Sequence, residues 1–382
     1  MSTKCDIIFE NNFEKVYYGG QLLSGQAIVT LAKEKSVRGI YVNIYGAAES
    51  RWCEHARDNR LTYRGHEVYL SSKTYLIGKE EGEAIEIPQG IHTYGFSCEL
   101  PFNLPSSMEG TYGSIRYKVI ITFDIPIWPD KVFEAGFTVL KTCNLNDFPE
   151  LKSPLDLERS HGFNYMGCIW CIQSKPLMVT VHMQARGFTP GEKIEVILDV
   201  NNQSSQDVAY FSIGLFKIVT YASTQTVIKN KSEIVSLSSV QTNGIRKNHA
   251  EQLTVLLLVP PGPPTDMNSS TICKVRYDIE VKTYISYFRN YPKIRIPITI
   301  GTYPLLENPP PRNKFSVASQ SYLTPSAPLS GLGIDFEEAN YIFNILCRLD
   351  PPTYEHVSVQ GNENNEIKLS HLPLYPVFGQ RV

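Results

Sequence analysis

The residues best suited to binding another protein form a short run near the C-terminal end. Pro351 and Pro352 are followed by Thr353 and Tyr354, which gives a PPxY sequence. Adjacent prolines hold the backbone in a polyproline II path at small entropic cost, so they can stack in an aromatic groove while the tyrosine enters a neighbouring pocket. WW domains bind ligands in this way. The motif therefore predicts WW-domain binding by Pro351, Pro352 and Tyr354, and the alternative is an inert proline-rich linker.

A second run downstream has a related form. Leu372, Pro373, Leu374 and Tyr375 keep the second proline and the tyrosine but have leucine at the first position. We therefore predict a weaker second WW-binding site at Leu372, Pro373 and Tyr375. If both sites engaged tandem WW domains, a linker of about 20 residues would raise their effective concentration and increase avidity without new contacts.

Residues that could carry catalysis or hold a metal are poorly grouped. Cys168 and Cys171 form a CxxC pair, but zinc requires four ligands, and the nearest additional candidate is His161. A thioredoxin-like site would need a βαβ context, which the sequence does not supply. The sequence also contains no GxSxG, P-loop or HExxH motif. We expect no catalytic residue, no bound metal and no cofactor.

Basic residues offer one further candidate site. Arg116 and Lys118 share one face of a predicted strand, and Lys141 is expected on a strand nearby. These three residues predict a contact for cargo or for a phosphate group. The simpler interpretation is that they form the solvated face of an amphipathic strand.

Composition limits the classes of partner and compartment. The chain of 382 residues has a formal net charge of −2, so it lacks the overall basic field that dominates nucleic-acid affinity. The N-terminus has no apolar signal region, and the most apolar run, 253–259, is too short to span a bilayer. The eight cysteines are scattered and are expected to be reduced thiols. We expect a cytoplasmic protein without a transmembrane segment.

The elements that must position these residues are strands. Between Ile115 and Ile125 apolar side chains recur at every second position, which predicts a long half-buried strand. The same alternation occurs in 40–45 and in 194–200. Turn residues such as Pro190 and Gly191 separate these runs at the spacing of an all-β sandwich.

A weak internal duplication indicates two sandwiches. The run 116–121 (RYKVII) reappears as 276–281 (RYDIEV), and upstream Pro101 reappears as Pro260. Offsets of 160 and 159 residues greatly exceed the period of a solenoid repeat, which is about 20 to 50 residues. The duplication therefore predicts two copies of a whole domain.

These patterns divide the chain into four parts. We predict a first sandwich at 6–150, a linker at 151–172, a second sandwich at 173–303 and a tail at 304–382. The tail is rich in Pro, Ser, Gly and Asn and is expected to be largely disordered. Near 335–349, apolar residues at steps of three and four predict a short amphipathic helix, or a segment that orders only against a partner.

With these residues in view, the sequence resembles the alpha-arrestins, also called arrestin domain-containing proteins, over most of residues 6–303. The most distinctive piece is the run 109–117 (EGTYGSIRY), and the second half contributes 190–192 (PGE) and 297–301 (PITIG). The resemblance implies an all-β fold with two tandem arrestin-like, immunoglobulin-type β-sandwiches. It also implies that the sandwiches are a surface for cargo and partners, and not a catalyst.

In this family, a PPxY motif in the tail docks WW-domain ubiquitin ligases of the HECT type. The resemblance thus implies a cytoplasmic, non-enzymatic adaptor that is recruited through its cargo to the plasma membrane and endosomes. Its cargo would be membrane receptors or transporters, which are then ubiquitinated and endocytosed. Two alternatives stay open: a retromer-like trafficking scaffold that needs no ligase, and a cysteine-dependent regulator of redox partners. One branch of the family binds thioredoxin through a cysteine that follows an LSSV-like run in the second domain. The redox alternative is disfavoured here because the run 237–240 (LSSV) is followed by a stretch without cysteine.

Overall fold

The computed structural model describes residues 3–10, 12–56, 59–162, 175–225, 227–285, 292–306, 351–357 and 371–379. Strands dominate these residues, and the helical elements among them are two 3-10 helices, at Leu145–Asp147 and Pro149–Lys152. The predicted all-β fold with two tandem sandwiches is confirmed. None of the helices in the described segments has the length and apolar character needed to cross a membrane.

The first sandwich places a three-stranded sheet against a larger one. The smaller sheet has the order β1-β3-β8, and the larger has the order β2-β11-β10-β5-β6, with β9 added beside β10 and with β4 and β7 as a separate pair. The strands are β1 (Lys4–Phe9), β2 (Val16–Tyr18), β3 (Leu22–Leu31), β4 (Lys35–Val37), β5 (Gly39–Ala56), β6 (Asn59–Gly78), β7 (Ile85–Ile87), β8 (Gly90–Glu99), β9 (Met108–Gly110), β10 (Gly113–Asp124) and β11 (Lys131–Leu140).

Strand β10 shows why the alternating sequence folds this way. Ile115, Tyr117, Val119, Ile121 and Phe123 are all at most 3% exposed, and they face the core from one side of the strand. Of the intervening side chains, Arg116 is exposed, Lys118 and Ile120 are partly covered, and Thr122 is buried. The period-two alternation in the sequence therefore corresponds to a half-buried strand at the predicted position.

The second sandwich is built on the same plan. One sheet has the order β12-β13-β15-β18 and the other has the order β14-β20-β19-β16-β17. The strands are β12 (Leu155–His161), β13 (Leu177–Met183), β14 (Gly187–Phe188), β15 (Lys193–Asn202), β16 (Val208–Ala222), β17 (Asn230–Gln241), β18 (His249–Leu258), β19 (Cys273–Ile285) and β20 (Lys293–Ile300).

The duplication seen in the sequence is visible in the topology. In both sandwiches a very short strand pairs in parallel with the last strand of the larger sheet, β2 with β11 and β14 with β20. The paired tyrosines of the repeat also make the same bond. The Tyr117 hydroxyl donates to the carbonyl of Pro105 at 2.7 Å, and the Tyr277 hydroxyl donates to the carbonyl of Pro263 at 2.6 Å. The prediction of two copies of one domain is confirmed.

Strand β12 lies inside the segment predicted as a linker, 151–172. It pairs with β13 in antiparallel register because Leu155 and Leu157 turn toward the second core while the residues between them face outward. The rest of that segment from residue 163 onward lies outside the described residues, as does the helix predicted near 335–349. Of the predicted tail beyond residue 306, two short segments are described, and they form β21 (Thr353–His356) and β22 (Leu374–Val377).

The two sandwiches contact each other directly. The Ser50 hydroxyl donates to the carbonyl of Ala222 at 2.7 Å, and the Glu67 carboxylate accepts from the Thr271 amide at 2.9 Å. The Glu233 carboxylate accepts from the Thr111 amide of the first sandwich at 3.1 Å. Buried apolar residues of both sandwiches form one continuous cluster. These contacts hold the two domains side by side.

Candidate partner-binding site in the C-terminal segment

The PPxY motif and the second candidate motif lie beside each other in one small sheet. Strands β21 and β22 are antiparallel, with Tyr354 opposite Pro376 and Glu355 opposite Tyr375. The pair packs where the two sandwiches meet. The structure therefore brings together the two predicted WW-binding sites, which are separated in the sequence, and places both against the body of the protein.

Tyr354 lies against two tyrosines of the body. Tyr18 is at the end of β2, Tyr303 follows β20, and their rings stack with centroids 6.4 Å apart. The Tyr18 and Tyr354 hydroxyls share a hydrogen bond, in which either oxygen can be the donor. Burial raises the pKa of Tyr354, and burial raises that of Tyr18 well above its ordinary value. The tyrosine of the PPxY motif is thus half-buried between the first and second sandwiches.

The prolines of the motif are less enclosed than its tyrosine. Pro351 and Thr353 are exposed, and Pro352 is partly covered beside a small cavity that Tyr18, Tyr303 and Phe378 also line. Aromatic faces are the surfaces on which such prolines stack in a WW domain. The meeting point of the two sandwiches therefore offers the motif an aromatic environment of similar chemistry.

Tyr375 is the most deeply buried residue of the second motif. It is 1% exposed, packs with Val16 and Leu140, and donates a hydrogen bond from its hydroxyl to the carbonyl of Ser107 at 2.9 Å. Nearby, the amide of Leu374 donates to the Thr138 hydroxyl at 3.2 Å. A buried tyrosine with its hydroxyl paired is a stable anchor for the strand that carries it.

Two glycines of the body allow the tail to approach closely. A Cβ added to Gly136, on β11, would lie 2.4 Å from the Cβ of His371. Gly191, at a positive φ of 94°, would place a Cβ 2.1 Å from the carbonyl oxygen of Phe378, and the Phe378 amide donates to the Pro190 carbonyl at 2.9 Å. The tail therefore contacts backbone on both sandwiches at positions without side chains.

Sequence reasoning found both motifs but missed that they dock. A local signal for docking exists, because the run 372–378 (LPLYPVF) has no polar residue other than its tyrosine and lies in a segment that is otherwise polar. The sites at Pro351, Pro352 and Tyr354 and at Leu372, Pro373 and Tyr375 stay predictions as WW-binding sites. In the observed position, Tyr375 cannot enter another pocket.

The predicted basic site is divided among separate ion pairs. Arg116 makes two contacts with the Glu109 carboxylate, at 2.6 and 2.7 Å, and Lys118 pairs with Glu134 at 2.8 Å. Lys141 pairs across the two sandwiches with Asp266 at 3.4 Å and also contacts Ser269. Each cation thus has a carboxylate partner, and these pairs would have to open before Arg116, Lys118 or Lys141 could hold a phosphate. The contact with cargo or phosphate stays a prediction.

A larger cleft of about 1100 Å³ lies between the sandwiches. Its lining carries both signs of charge, including Arg51, Glu109 and Glu233, together with Lys217, which is only 7% exposed. Burial lowers the pKa of Lys217, and the nearby Glu233 carboxylate opposes that shift. Tyr375 forms part of the wall, so the docked tail borders this cleft.

Three of the described cysteines, Cys5, Cys143 and Cys273, lack the lowered pKa of reactive thiols. Burial raises the pKa of Cys5 and Cys143 to about 11 and that of Cys273 to about 12. Cys53 differs, because hydrogen bonds from Thr62 and Arg60 lower its pKa. The CxxC pair at Cys168 and Cys171 lies outside the described residues. Among the residues that are described, no group of three His, Cys, Asp or Glu side chains is placed to hold a metal ion.

Comparison with known proteins identifies both halves of the chain. The family model described as arrestin (or S-antigen), N-terminal domain, matches residues 5–146, and the model described as arrestin (or S-antigen), C-terminal domain, matches residues 173–305. These ranges agree with the two sandwiches seen in the structure.

Curated relatives match across both halves. Arrestin domain-containing protein 17 of Caenorhabditis elegans is 28% identical over 331 residues, which covers 82% of this chain and 74% of the relative. Arrestin domain-containing protein 4 of Mus musculus is 26% identical over 323 residues, which covers 82% and 75%. Arrestin domain-containing protein 1 of Mus musculus is 23% identical over 319 residues, which covers 82% and 69%.

Proposed function

The chain belongs to the arrestin family, among the arrestin domain-containing proteins or alpha-arrestins, and from this membership we propose that it is a non-enzymatic adaptor. The sandwiches bind a membrane receptor or transporter as cargo, and the tail recruits a WW-domain ubiquitin ligase of the HECT type. Cargo and ligase are thereby brought together, and the cargo is ubiquitinated, endocytosed and sorted. The protein works in the cytoplasm and reaches the plasma membrane and endosomes through its cargo.

The observation that carries this proposal is a PPxY motif on the same chain as two arrestin sandwiches. The motif supplies the proline pair and the tyrosine that WW domains bind, at Pro351, Pro352 and Tyr354. An adaptor of this kind performs no chemistry. It turns an encounter between ligase and cargo into one governed by effective concentration, and ubiquitin transfer belongs to the ligase.

The body of the protein supports a role in holding cargo. Two sandwiches joined by hydrogen bonds and a continuous core give a firm frame, and the cleft between them, of about 1100 Å³, has polar and charged walls of both signs. Binding sites are commonly found on loops and in clefts that such frames position. A cytoplasmic segment of a receptor or transporter is the class of ligand that we propose for this body.

The direct test measures binding of an isolated WW domain from a HECT-type ubiquitin ligase to a linear peptide of residues 345–360. Such a peptide needs no fold of its own, because the motif is recognised in an extended path. The wild-type peptide should bind, Tyr354→Ala should abolish binding, and Thr353→Ala should not, because the third position of the motif makes no required contact. Equal binding of the Tyr354→Ala peptide would overturn the ligase proposal and leave the retromer-like scaffold as the better account.

A second test places the full chain in cells. Proximity labelling with wild type and with Tyr354→Ala should recover membrane-protein cargo in both cases, and HECT-type ligases with the wild type alone. Loss of the cargo from the Tyr354→Ala list would show that cargo binding depends on the tail, which contradicts a division of labour between body and tail.

A further inference from the structure

We propose that the body of the protein withholds its own PPxY motif from WW domains, and that residues 371–378 are the latch that keeps Tyr354 at the meeting point of the two sandwiches. This inference rests on the proposed function, because it concerns the regulation of the proposed ligase-binding site. The second motif is then a part of the protein's own structure, and a WW domain must displace it before Tyr354 becomes available.

The docked and WW-bound positions of Tyr354 exclude each other. In the docked position its ring lies against Tyr18 and Tyr303, its hydroxyl shares a hydrogen bond with that of Tyr18, and its backbone belongs to a strand paired with β22. A WW domain needs the same ring in its own pocket and the preceding prolines on its own aromatic groove. Since one side chain cannot fill both sites, the two partners compete.

Burial indicates that the latch, and not the motif, holds the docked sheet in place. Tyr375 is 1% exposed and Phe378 is 6% exposed, and Pro373 and Pro376 are also buried. On β21, in contrast, Thr353, Glu355 and His356 are exposed. Apolar burial is the main attractive contribution in such contacts. Most of the attraction between the docked sheet and the body therefore comes from β22 and the residues beside it.

The body has a surface that fits the latch. Val16 and Leu140 are buried against Tyr375, and the carbonyl of Ser107 accepts the hydrogen bond of its hydroxyl. His371 lies over Gly136, where its imidazole Nε2 is 2.9 Å from the Thr138 hydroxyl. If the latch left, the apolar part of this surface would be exposed to water, which favours its occupation by the tail.

Both sandwiches contribute to this surface. Gly136, Thr138 and Ser107 belong to the first sandwich, whereas Pro190 and Gly191, which contact Phe378, belong to the second. The latch therefore bridges the two domains. A change in their relative position would alter its contacts on one side or the other.

Gly136 offers a way to release the latch without changing the tail. The three nearest atoms to a Cβ at this position all belong to His371, at 2.4, 3.1 and 3.6 Å. A methyl group there would therefore clash with the tail, and no atom of the body lies closer to it than these three. Gly95 is a matched control. It also lies within a strand, β8, and a Cβ there meets no atom within 4 Å.

The experiment measures the affinity of an isolated WW domain from a HECT-type ligase for the full chain and for the linear peptide of residues 345–360. When a binding site is available for only a fraction of the time, the apparent dissociation constant equals the intrinsic one divided by that fraction. The wild-type chain should therefore bind at least about tenfold more weakly than the peptide. Gly136→Ala should bring the chain close to the peptide, and Gly95→Ala should leave it unchanged.

A second variant, Tyr375→Ala, removes the buried anchor from the tail and separates two interpretations of this residue. The latch predicts tighter binding of the WW domain to Tyr375→Ala, whereas a second WW-binding site at Tyr375 predicts weaker binding. A wild-type chain that binds as tightly as the peptide, with no gain in Gly136→Ala or Tyr375→Ala, would overturn the latch. Failure of the peptide itself to bind would instead overturn the proposed ligase recruitment.

Discussion

The hydroxyl of Tyr18, at the end of β2 in the first sandwich, shares a hydrogen bond with the hydroxyl of Tyr354 in the PPxY motif. One bond thus joins the body to the residue through which a WW domain would hold the tail. Its partner in the stacked pair, Tyr303, follows β20 of the second sandwich. The contact is therefore a place where the domain pair and the binding motif affect each other.

Removing the Tyr18 hydroxyl should loosen the motif. A net hydrogen bond contributes about 0.5 to 1.5 kcal/mol, so Tyr18→Phe should raise the affinity of the full chain for a WW domain by about two- to tenfold. Titration calorimetry on the full chain measures this. Tyr41→Phe is the control, because its hydroxyl has no partner among the described residues and lies on β5, outside the docking surface. Unchanged affinity in Tyr18→Phe would show that the bond does not restrain the motif.

Acid should also release the tail. Burial, followed by the charges of Lys15 and His356, lowers the pKa of His371 to about 4 from an ordinary value of 6.5. Because the docked state favours the neutral imidazole, docking is strongest above pH 6.5 and weakens as the pH falls from 6.5 toward 4. Linkage predicts a docked-to-free ratio about tenfold lower at pH 5.5 than at pH 7.5.

The pH effect is measured as the exposure of the tail to a protease or to hydrogen exchange at pH 7.5 and pH 5.5. His371→Asn, which cannot take up a proton in this range, should remove the difference between the two conditions. A pH effect that persists in His371→Asn would assign it to another group.

The repeated tyrosine bonds should make similar contributions to stability. Tyr117 and Tyr277 are each about 2% exposed, and each donates to a proline carbonyl. Replacing either with Phe leaves that carbonyl without its donor and should lower the free energy of unfolding by about 1 to 2 kcal/mol. Urea denaturation measures the loss, with Tyr41→Phe as a control that should change it by less than about 0.5 kcal/mol. A lower free energy of unfolding in only one of the two variants would show that the two bonds are not equivalent.

Alkylation should distinguish the cysteines of the folded protein. The thiolate is the reactive form, so Cys53, whose pKa is lowered by Thr62 and Arg60, should react before Cys273, whose pKa burial raises to about 12. Mass spectrometry after a short exposure to iodoacetamide at pH 8 gives the order. Modification of Cys273 at the rate of Cys53 in the folded chain would contradict the structure at β19.

Much of the fold is local and could be predicted. The alternation of apolar and polar residues predicts β10, because a half-buried strand shows its period in its own residues. The repeat of Tyr117 at Tyr277 indicates two copies of one domain. Strand β12 falls in the segment predicted as a linker, because only Leu155 and Leu157 mark its buried face. The short parallel strands β2 and β14 are too brief to show any period.

The docking of the tail could not be predicted for a different reason. The apolar run 372–378 is a visible signal, but the surface that receives it is assembled from residues far apart in the sequence, including Val16, Ser107, Leu140 and Pro190. The role of Gly136 depends on the absence of a side chain next to His371. Such complementarity exists only after the two sandwiches have folded.

The docked strands also change what a break in the chain would do. The connection from Leu306 to Pro351 is covalent, while the contacts of Tyr375 and Phe378 with the body are not. A protease that cut between Leu306 and Pro351 would leave two fragments that still migrate as one particle under native conditions and separate in detergent. In that nicked protein, the C-terminal peptide would behave as a small subunit, exchangeable with a synthetic copy added from outside.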